Sequence, residues 1–547
     1  MIELALSTSI GQALQRAAER YGDRPLMAVP ANPLRDYDPE GREITFSAAA
    51  DTVRQLAERY AAAGYGLGHR VGLLLESRPE HMLHKLALNT LGVCCVPVNP
   101  DYRPRETAYL VDHARLDLLL VLKSRRAEVD AALQLAAHRP PVAELEHLHD
   151  ADLPRAATAA KAGAIDGETP ASILYTSGTT GKPKGCVLSH RYELASGLAY
   201  ATRGGLAALR EGQDRIYNPL PLFHVNAAIL SFFCVLITGC CQVQSDRFRP
   251  TRFWDEVRQT RATVVHYLGV IVQMLMVQPT GPQDRDHAVR FGFGAGVEPQ
   301  LHAAFESRFG FPLLELWGMT EMVRALVDCY APRQVGTRAF GRPLPEAGVE
   351  AMVVDDGDLE LPRNSVGELV IRHSAATPRQ DFFSGYLDDP EATEAAWRSG
   401  WFHTGDLVMQ DDSGMLHFVD RRKNIIRRSG ENIAAAEVEA MLLAHPWVEQ
   451  AAVMAVPDDI REEEVMACVV LRPGVDRAAP VLAAEALFAH CDAGMAYYKA
   501  PGWVYFADHI PTTGTQKIQK HAIFPAGVDP RSLAGMVDVR SLKKNRR

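Results

Sequence analysis

Ile173-Leu174-Tyr175-Thr176-Ser177-Gly178-Thr179-Thr180-Gly181-Lys182-Pro183-Lys184-Gly185 is the stretch that decides how this chain is read. Its apolar start predicts a buried strand, which runs into a loop of glycines, hydroxyls and two lysines. Glycines let backbone N–H groups come close to an anion, hydroxyls add donors, and lysines add charge; together they describe a phosphate cradle. A Walker A loop is excluded, because that motif needs a glycine five positions before Gly181 and Thr176 stands there. Cys186-Val187-Leu188 reads as a second strand, so no helix N-terminus supplies the anion site. The bordering strands and the Lys-Pro-Lys run separate this loop from an ordinary Gly/Ser/Thr surface loop.

Upstream, Arg70 to Leu75, Val93 to Val98 and Leu116 to Leu122 are short apolar runs. Helical patterns lie between them, at about Pro79 to Leu91 and Arg105 to His113, after an earlier one through Val53, Leu56, Ala57 and Tyr60. Strand–helix alternation of this kind predicts a parallel sheet with helical crossovers. Asp150 to Glu168 reads as a connector. Downstream, Val264 to Leu268 and Val289 to Phe293 read as strands and Leu301 to Phe309 as a helix. After Pro343 the runs Val349 to Val354 and Glu368 to Arg372 suggest a small β unit. A smaller alternation begins near Asn424: Ala435 to Ala444 and Val481 to Cys491 are helical, Gln450 to Ala455 and Met466 to Leu471 are strands. A domain boundary is placed at Arg421 to Asn424.

The 547 residues, 47% hydrophobic and 23% charged, are ordinary globular composition and exclude a largely disordered chain. With 58 basic and 67 acidic residues the net charge is −9, which gives no global field for nucleic acid. The basic end Ser541 to Arg547 reads as solvated. Nine cysteines without a Cys-x-x-Cys spacing argue against a disulfide scaffold or structural zinc and for a reducing compartment. Met1 to Pro25 lacks the pattern of a secretion signal, and the apolar run Ala227 to Gly239 is too short to cross a bilayer. A cytoplasmic protein without an integral membrane segment is expected.

The loop resembles the signature of the adenylate-forming (AMP-binding) superfamily. Five further segments match that family in order: Leu220-Pro221-Leu222-Phe223-His224, Trp317-Gly318-Met319-Thr320-Glu321, Gly400-Trp401-Phe402-His403-Thr404-Gly405-Asp406, the run from Asp420 to Ile433, and Pro511-Thr512-Thr513-Gly514-Thr515-Gln516-Lys517-Ile518. One departure is Gln516, where the family usually has glycine before the lysine; Gly514 lies two positions earlier. Within the family, Phe418 to Asn432 is similar to the crotonobetaine/carnitine-CoA ligase group.

The resemblance implies an α/β fold: a large N-terminal adenylation domain (1–421) of helix-flanked sheets with a small β subdomain, a small mobile α+β C-terminal domain (422–530), and a basic tail (531–547). It implies an ATP-dependent, Mg2+-requiring acyl-CoA synthetase. Such an enzyme joins a carboxylate to AMP with release of pyrophosphate, then passes the acyl group to CoA. Thr176, Ser177, Gly178, Thr179, Thr180, Lys182 and Lys184 would hold phosphates, with Gly296, Trp317, Gly318, Asp406 and Arg421 around the rest of the nucleotide. Lys517, Thr320, Glu321, His224 and Arg421 would form the catalytic set, with Glu321 as the metal ligand. Lys423 would be the hinge, and Arg427, Arg428, Ser429 and Gly430 would meet CoA. His224, Asn226, Val270, Gly294, Ala295, Met319 and Met322 would line the acyl pocket. Trp317 has a second reading as a core tryptophan. Short- or medium-chain and carnitine-like acids stay open as substrates, as does the oligomeric state, a homodimer included. Transfer to a carrier protein, or a non-catalytic nucleotide- or acyl-binding relative, are the alternatives.

Overall fold

Strands covered on both faces read as continuous apolar runs, and in the computed structural model the predicted runs are such strands. The structure describes residues 1–148, 152–176, 183–421, 424–428, 431–458, 461–475, 479–495, 497–512, 518–525 and 527–545. The chain divides into two compact units, Met1–Ala351 with Ile371–Phe402, and Met352–Val370 with His403–Arg547.

Among the described residues, the first unit holds two large sheets. One has the order Gly385–Tyr386, Lys184–Ser189, Pro170–Thr176, Cys94–Pro97, Arg70–Leu74, Leu118–Val121, Val142–Glu144. From Pro170–Thr176 onward its strands are parallel. Helices Pro79–Thr90 and Pro104–Ala114 connect them, each opening with proline in its first turn, where the missing N–H costs nothing. Val96, Val111, Leu119, Val121 and Ile173 form the core beneath this sheet. Lys184–Ser189 returns antiparallel to Pro170–Thr176, so the two strands pair with Thr176 opposite Lys184. The short strand Gly385–Tyr386 pairs at the edge, Tyr386 opposite Cys186.

The second sheet has the order Met322–Val327, Leu313–Met319, Phe291–Ala295, Val264–Leu268, Arg215–Asn218, Cys241–Gln244, Pro25–Val29, Arg42–Thr45. It is parallel from Leu313–Met319 to Pro25–Val29 and antiparallel at both ends. Open parallel sheets bind ligands beyond the carboxyl ends of their strands. Thr176, Ala295 and Met319 are the last residues of three such strands.

A buried polar knot ties the helices to the first sheet. Lys85, on Pro79–Thr90, lies 2.8 Å from the Glu193 carboxylate on helix His190–Ala201, and neither side chain is more than 1% exposed. Lys85 also donates to Asn89 Oδ1, and Ser172 on the strand into the phosphate loop donates to Glu193. The connector has no regular structure over 152–168, yet Ala156 and Lys161 donate backbone N–H groups to the carbonyls of Ala63 and Leu67. All nine cysteines are buried and free. Among the described residues no helix is long and apolar enough to cross a membrane.

Most of a four-stranded sheet falls in the second unit, in the order Glu350–Val354, Val366–Arg372, Phe402–Gln410, Leu416–Arg421. The unit's other sheet is built on the strand Glu462–Leu471, which pairs antiparallel with Ile425–Arg428 and Val448–Asp458 and parallel with Trp503–Phe506. Helices Ala435–Leu443 and Pro480–Gly494 supply Val438, Leu442, Leu487 and Phe488 to its core. The chain end differs from the solvated reading. Met536–Asp538 is a strand on Trp503–Phe506, and Lys543, 6% exposed, puts Nζ 2.6 Å from Glu464 and 3.3 Å from the Tyr498 carbonyl. Burial pushes the Lys543 ammonium down to about 8.

Candidate active site

Strands Leu313–Met319 and Met322–Val327 pair with Met319 opposite Met322, which leaves Thr320 and Glu321 as a two-residue turn. The turn is held from two sides. Tyr192, at the start of helix His190–Ala201, donates its hydroxyl to the Thr320 carbonyl at 2.7 Å. Phe383 donates its backbone N–H to the Glu321 carbonyl, and Tyr386 donates its hydroxyl to Glu321 Oε1 at 2.8 Å. Glu321 is only 6% exposed. Burial, then the Glu321 charge, raises the Tyr386 hydroxyl far above its ordinary value, so it stays a donor to the carboxylate.

The same tyrosine reaches the phosphate hairpin. Lys184 Nζ lies 4.8 Å from the Tyr386 ring centre and 3.9 Å from the Asp389 carboxylate. Thr176, Lys184, Tyr386, Thr320 and Glu321 therefore form one connected group. Ser177, Gly178, Thr179, Thr180 and Lys182 lie outside the described residues. A buried carboxylate with a lysine close by fits Mg2+ bound with a nucleotide, since this hard cation takes carboxylate and phosphate oxygens. Among the described residues no group of three or more His, Cys, Asp and Glu side chains is placed to hold a metal ion.

A second wall stands at the end of strand Phe291–Ala295. A Cβ on Gly294 would come within 2.2 Å of the Tyr267 carbonyl, and Gly296 has φ +82°, so neither position tolerates a side chain without strain. Glu315, opposite Gly294 in the register, reaches under this turn. Its carboxylate accepts the Gly296 N–H at 3.1 Å, the Val297 N–H at 3.3 Å and the Tyr267 hydroxyl at 2.9 Å. Burial outweighs these donors and pushes Glu315 up to about 7. Beyond it, Trp317 is buried with its ring 6.1 Å from Phe340, and Gly318 is exposed.

His224, half-buried against Phe223, is held by its backbone N–H to Pro221. Two residues on, a π-helix runs from Asn226 to Ser231; such turns occur often at functional sites. Asn226 Oδ1 accepts from Asn218 Nδ2 at 2.9 Å and lies 2.7 Å from His266 Nδ1. Burial holds His266 near 3, so the ring is neutral, and a proton on Nδ1 leaves Nε2 to accept from Tyr200. Val270, Ala295 and Met319 are half-buried, and Met322 is buried.

In the second unit Asp406 and Arg421 are register partners, with the Arg421 Nε 3.4 Å from the Asp406 carboxylate. Asp406 is 6% exposed and donates its backbone N–H to Thr404. The Gly405 N–H and the His403 ring both meet the Glu368 carboxylate. Asp420 received no role from the sequence, yet its carboxylate accepts from the N–H groups of Arg421 and Ala436 and from Asn424 Nδ2. It thus fixes the chain on both sides of 422–423.

Arg428 requires a correction. It was expected to offer charge to CoA, but it is 2% exposed and both Glu464 oxygens lie 2.9 Å from its Nε. Strand alternation explains the difference: Arg428 shares the inward face of Ile425–Arg428 with buried Ile426. Lys423, Ser429, Gly430 and Lys517 lie outside the described residues, as does the side chain of Arg427. Sequence reasoning missed Tyr386, Glu315 and Asp420 as organising groups. The acidic turn after Tyr386 and the glutamate two places before Trp317 were the signals available.

Residues 14–387 match the family model described as AMP-binding enzyme, and residues 437–517 match the AMP-binding enzyme C-terminal domain. The chain is 30% identical over 519 residues to the crotonobetaine/carnitine–CoA ligase of Citrobacter koseri, covering 92% of this chain and 96% of that protein. Its fold is similar to that of ATP-bound MatB from Rhodopseudomonas palustris, at 26% identity and TM-score 0.76, over 94% of this chain and 98% of the other. It is also similar in fold to the o-succinylbenzoate coenzyme A synthetase MenE of Bacillus subtilis in complex with ATP and magnesium ion, at 24% identity and TM-score 0.77, over 94% and 99%. With two thirds of its length matched to one family model and both parts of that architecture present in order, the chain belongs to the family of AMP-binding enzymes.

Proposed function

We propose that this protein is an AMP-forming carboxylate–CoA ligase. The observation that carries the reading is the Thr320–Glu321 turn, with its buried carboxylate braced by Tyr386 beside Lys184. In the first step a carboxylate oxygen attacks the α-phosphorus of ATP, and the bond to pyrophosphate breaks with its electron pair leaving on that group. Both reactants are anions, so the protein's work is positioning and charge neutralisation.

Thr176, Ser177, Gly178, Thr179, Thr180, Lys182 and Lys184 hold the β- and γ-phosphates. Thr320 donates toward the α-phosphate. Glu321 holds Mg2+, which neutralises phosphate charge when bound. Asp406 accepts the ribose hydroxyls, and its ion pair with Arg421 orients it. Lys517 meets the charge that develops between carboxylate and α-phosphate. In the second step the CoA thiol sulfur attacks the acyl carbon, AMP leaves, and the thiol proton is released. Residues 1–421 carry the adenylation step. Residues 422–530 carry Lys517 and, through the hinge at Lys423, the passage of CoA along Ser429 and Gly430.

The crotonobetaine/carnitine–CoA ligase relatives support a carnitine-like acid, and short- to medium-chain acids are further candidates. Nine buried free thiols support a reducing, cytoplasmic setting. The test measures pyrophosphate release and acyl-CoA formation over carnitine-like betaines, short- to medium-chain fatty acids and benzoates, with and without CoA, beside Lys517→Ala. Thioester from one acid class, lost in the variant, is expected. Pyrophosphate without thioester would point to another acceptor, such as a carrier protein. ATP binding without pyrophosphate release from any acid would leave a binding protein.

A further inference from the structure

Glu315 is a buried carboxylate beside the candidate nucleotide wall for which the reaction above has no use. It lies on the strand that ends in the Thr320–Glu321 turn, and it spends both oxygens on the neighbouring strand's exit. That exit is glycine-lined and cannot brace itself with side chains: Gly294 is pressed on the Tyr267 carbonyl, and the Gly296 carbonyl fills the space where a Cβ on Gly269 would sit. The Gly296 and Val297 N–H groups have turned out of the sheet ladder and need an acceptor. A buried carboxylate supplies it and at the same time ties this wall to the Thr320–Glu321 turn, which begins just past the end of its own strand.

We propose that Glu315 is a positioning residue for ATP, holding the Gly294–Val297 wall in register with Thr320 and Glu321. The inference rests on the ATP-binding reading of that wall. The ionised carboxylate is the stronger acceptor for all three donors; protonation puts an O–H among them and slackens the grip on Gly296 and Val297. Tyr267, two strands away on Val264–Leu268, and His302 on helix Pro299–Phe309 face the carboxylate, with Glu306, Arg333 and Asp328 around them. His302 is itself bound to the Leu313 carbonyl and the Gly336 N–H. With Glu315 pushed up to about 7, the ionised form is lost as pH falls through neutrality.

The test compares the full-length protein with Glu315→Gln and Glu315→Asp. ATP binding is followed by calorimetry, and acid-dependent pyrophosphate–ATP exchange gives KM and kcat from pH 5.5 to 8.5. Glu315→Gln is expected to weaken ATP binding and raise the KM for ATP roughly tenfold or more at pH 8, with kcat changed less. Wild type loses kcat/KM for ATP below about pH 7, and the Gln variant lacks that acidic limb; Glu315→Asp restores part of both. Equal ATP affinity in wild type and Glu315→Gln, or an acidic limb kept by the variant, overturns the inference, as does a fall in kcat and melting temperature with KM unmoved. Wild-type ATP binding without exchange on any acid would sink the ligase reading while the affinity comparison still decides on Glu315. No ATP binding by wild type sinks both.

Discussion

One hydroxyl fixes where the Glu321 carboxylate points. Tyr386→Phe removes that donor and little volume. Activity should fall roughly 10–100-fold, with a weaker response to Mg2+, as when a ligand's supporting hydrogen bond is lost. Stability should change by no more than about 1–3 kcal/mol. Exchange rates over a Mg2+ titration, beside a urea melt, check both; an unchanged Mg2+ response would remove Tyr386 from the site. Glu315 makes a linkage prediction of opposite sense to the usual carboxylate. Its folded-state value lies above its unfolded value, so its contribution to stability is fullest in acid, below about 4.5, and is lost as pH rises through about 7. The stability of wild type minus that of Glu315→Gln should therefore fall from pH 5 to pH 8, measured by denaturant unfolding. The family was legible in the motifs of the sequence; the placement of Tyr386 and Glu315 was not, because their contacts arise from strand pairing with segments far away in the chain.

Helices and strands were legible where burial is apolar. The runs at Arg70, Val93, Leu116 and Val264 declare themselves because a parallel strand covered on both faces shows no polar alternation. Buried charges hide, since each looks like a surface residue until its partner is known. Lys85 and Glu193 are 108 positions apart. Lys85→Met should cost about 3–5 kcal/mol, because Glu193 would keep a buried charge without its cation. Replacing both with apolar residues should recover much of that loss, and urea unfolding of the single and double variants would show it; a single variant as stable as wild type would contradict the pairing. The same blindness explains Arg428, whose apparent place in a basic run conceals a strand position facing Glu464.

Over the whole molecule, the alternation of strands and helices and the order of the motifs identified the architecture, whereas the use made of the chain's end did not show. Glu464 is flanked by Arg428 and Lys543, two cations around one carboxylate, all three buried. Glu464→Gln strands both cations and should cost about 3–5 kcal/mol. Lys543→Met leaves a neutral Arg428–Glu464 pair and should cost clearly less. Chemical denaturation of the second unit, followed at Trp447 and Trp503, ranks the two; the reverse order would mean that Lys543 rather than Glu464 organises the cluster.

The cysteines turn this architecture into a pair of clocks. Cys94, Cys95, Cys186, Cys234, Cys240, Cys241 and Cys329 belong to the first unit, and Cys468 and Cys491 to the second. Burial raises their thiols, so an alkylating reagent must wait for a protein to open before it finds a thiolate. Peptide-resolved alkylation in native buffer would therefore time the opening of each unit separately, with no engineered probe. A substrate that steadies one unit would slow its own set of labels and leave the other set ticking.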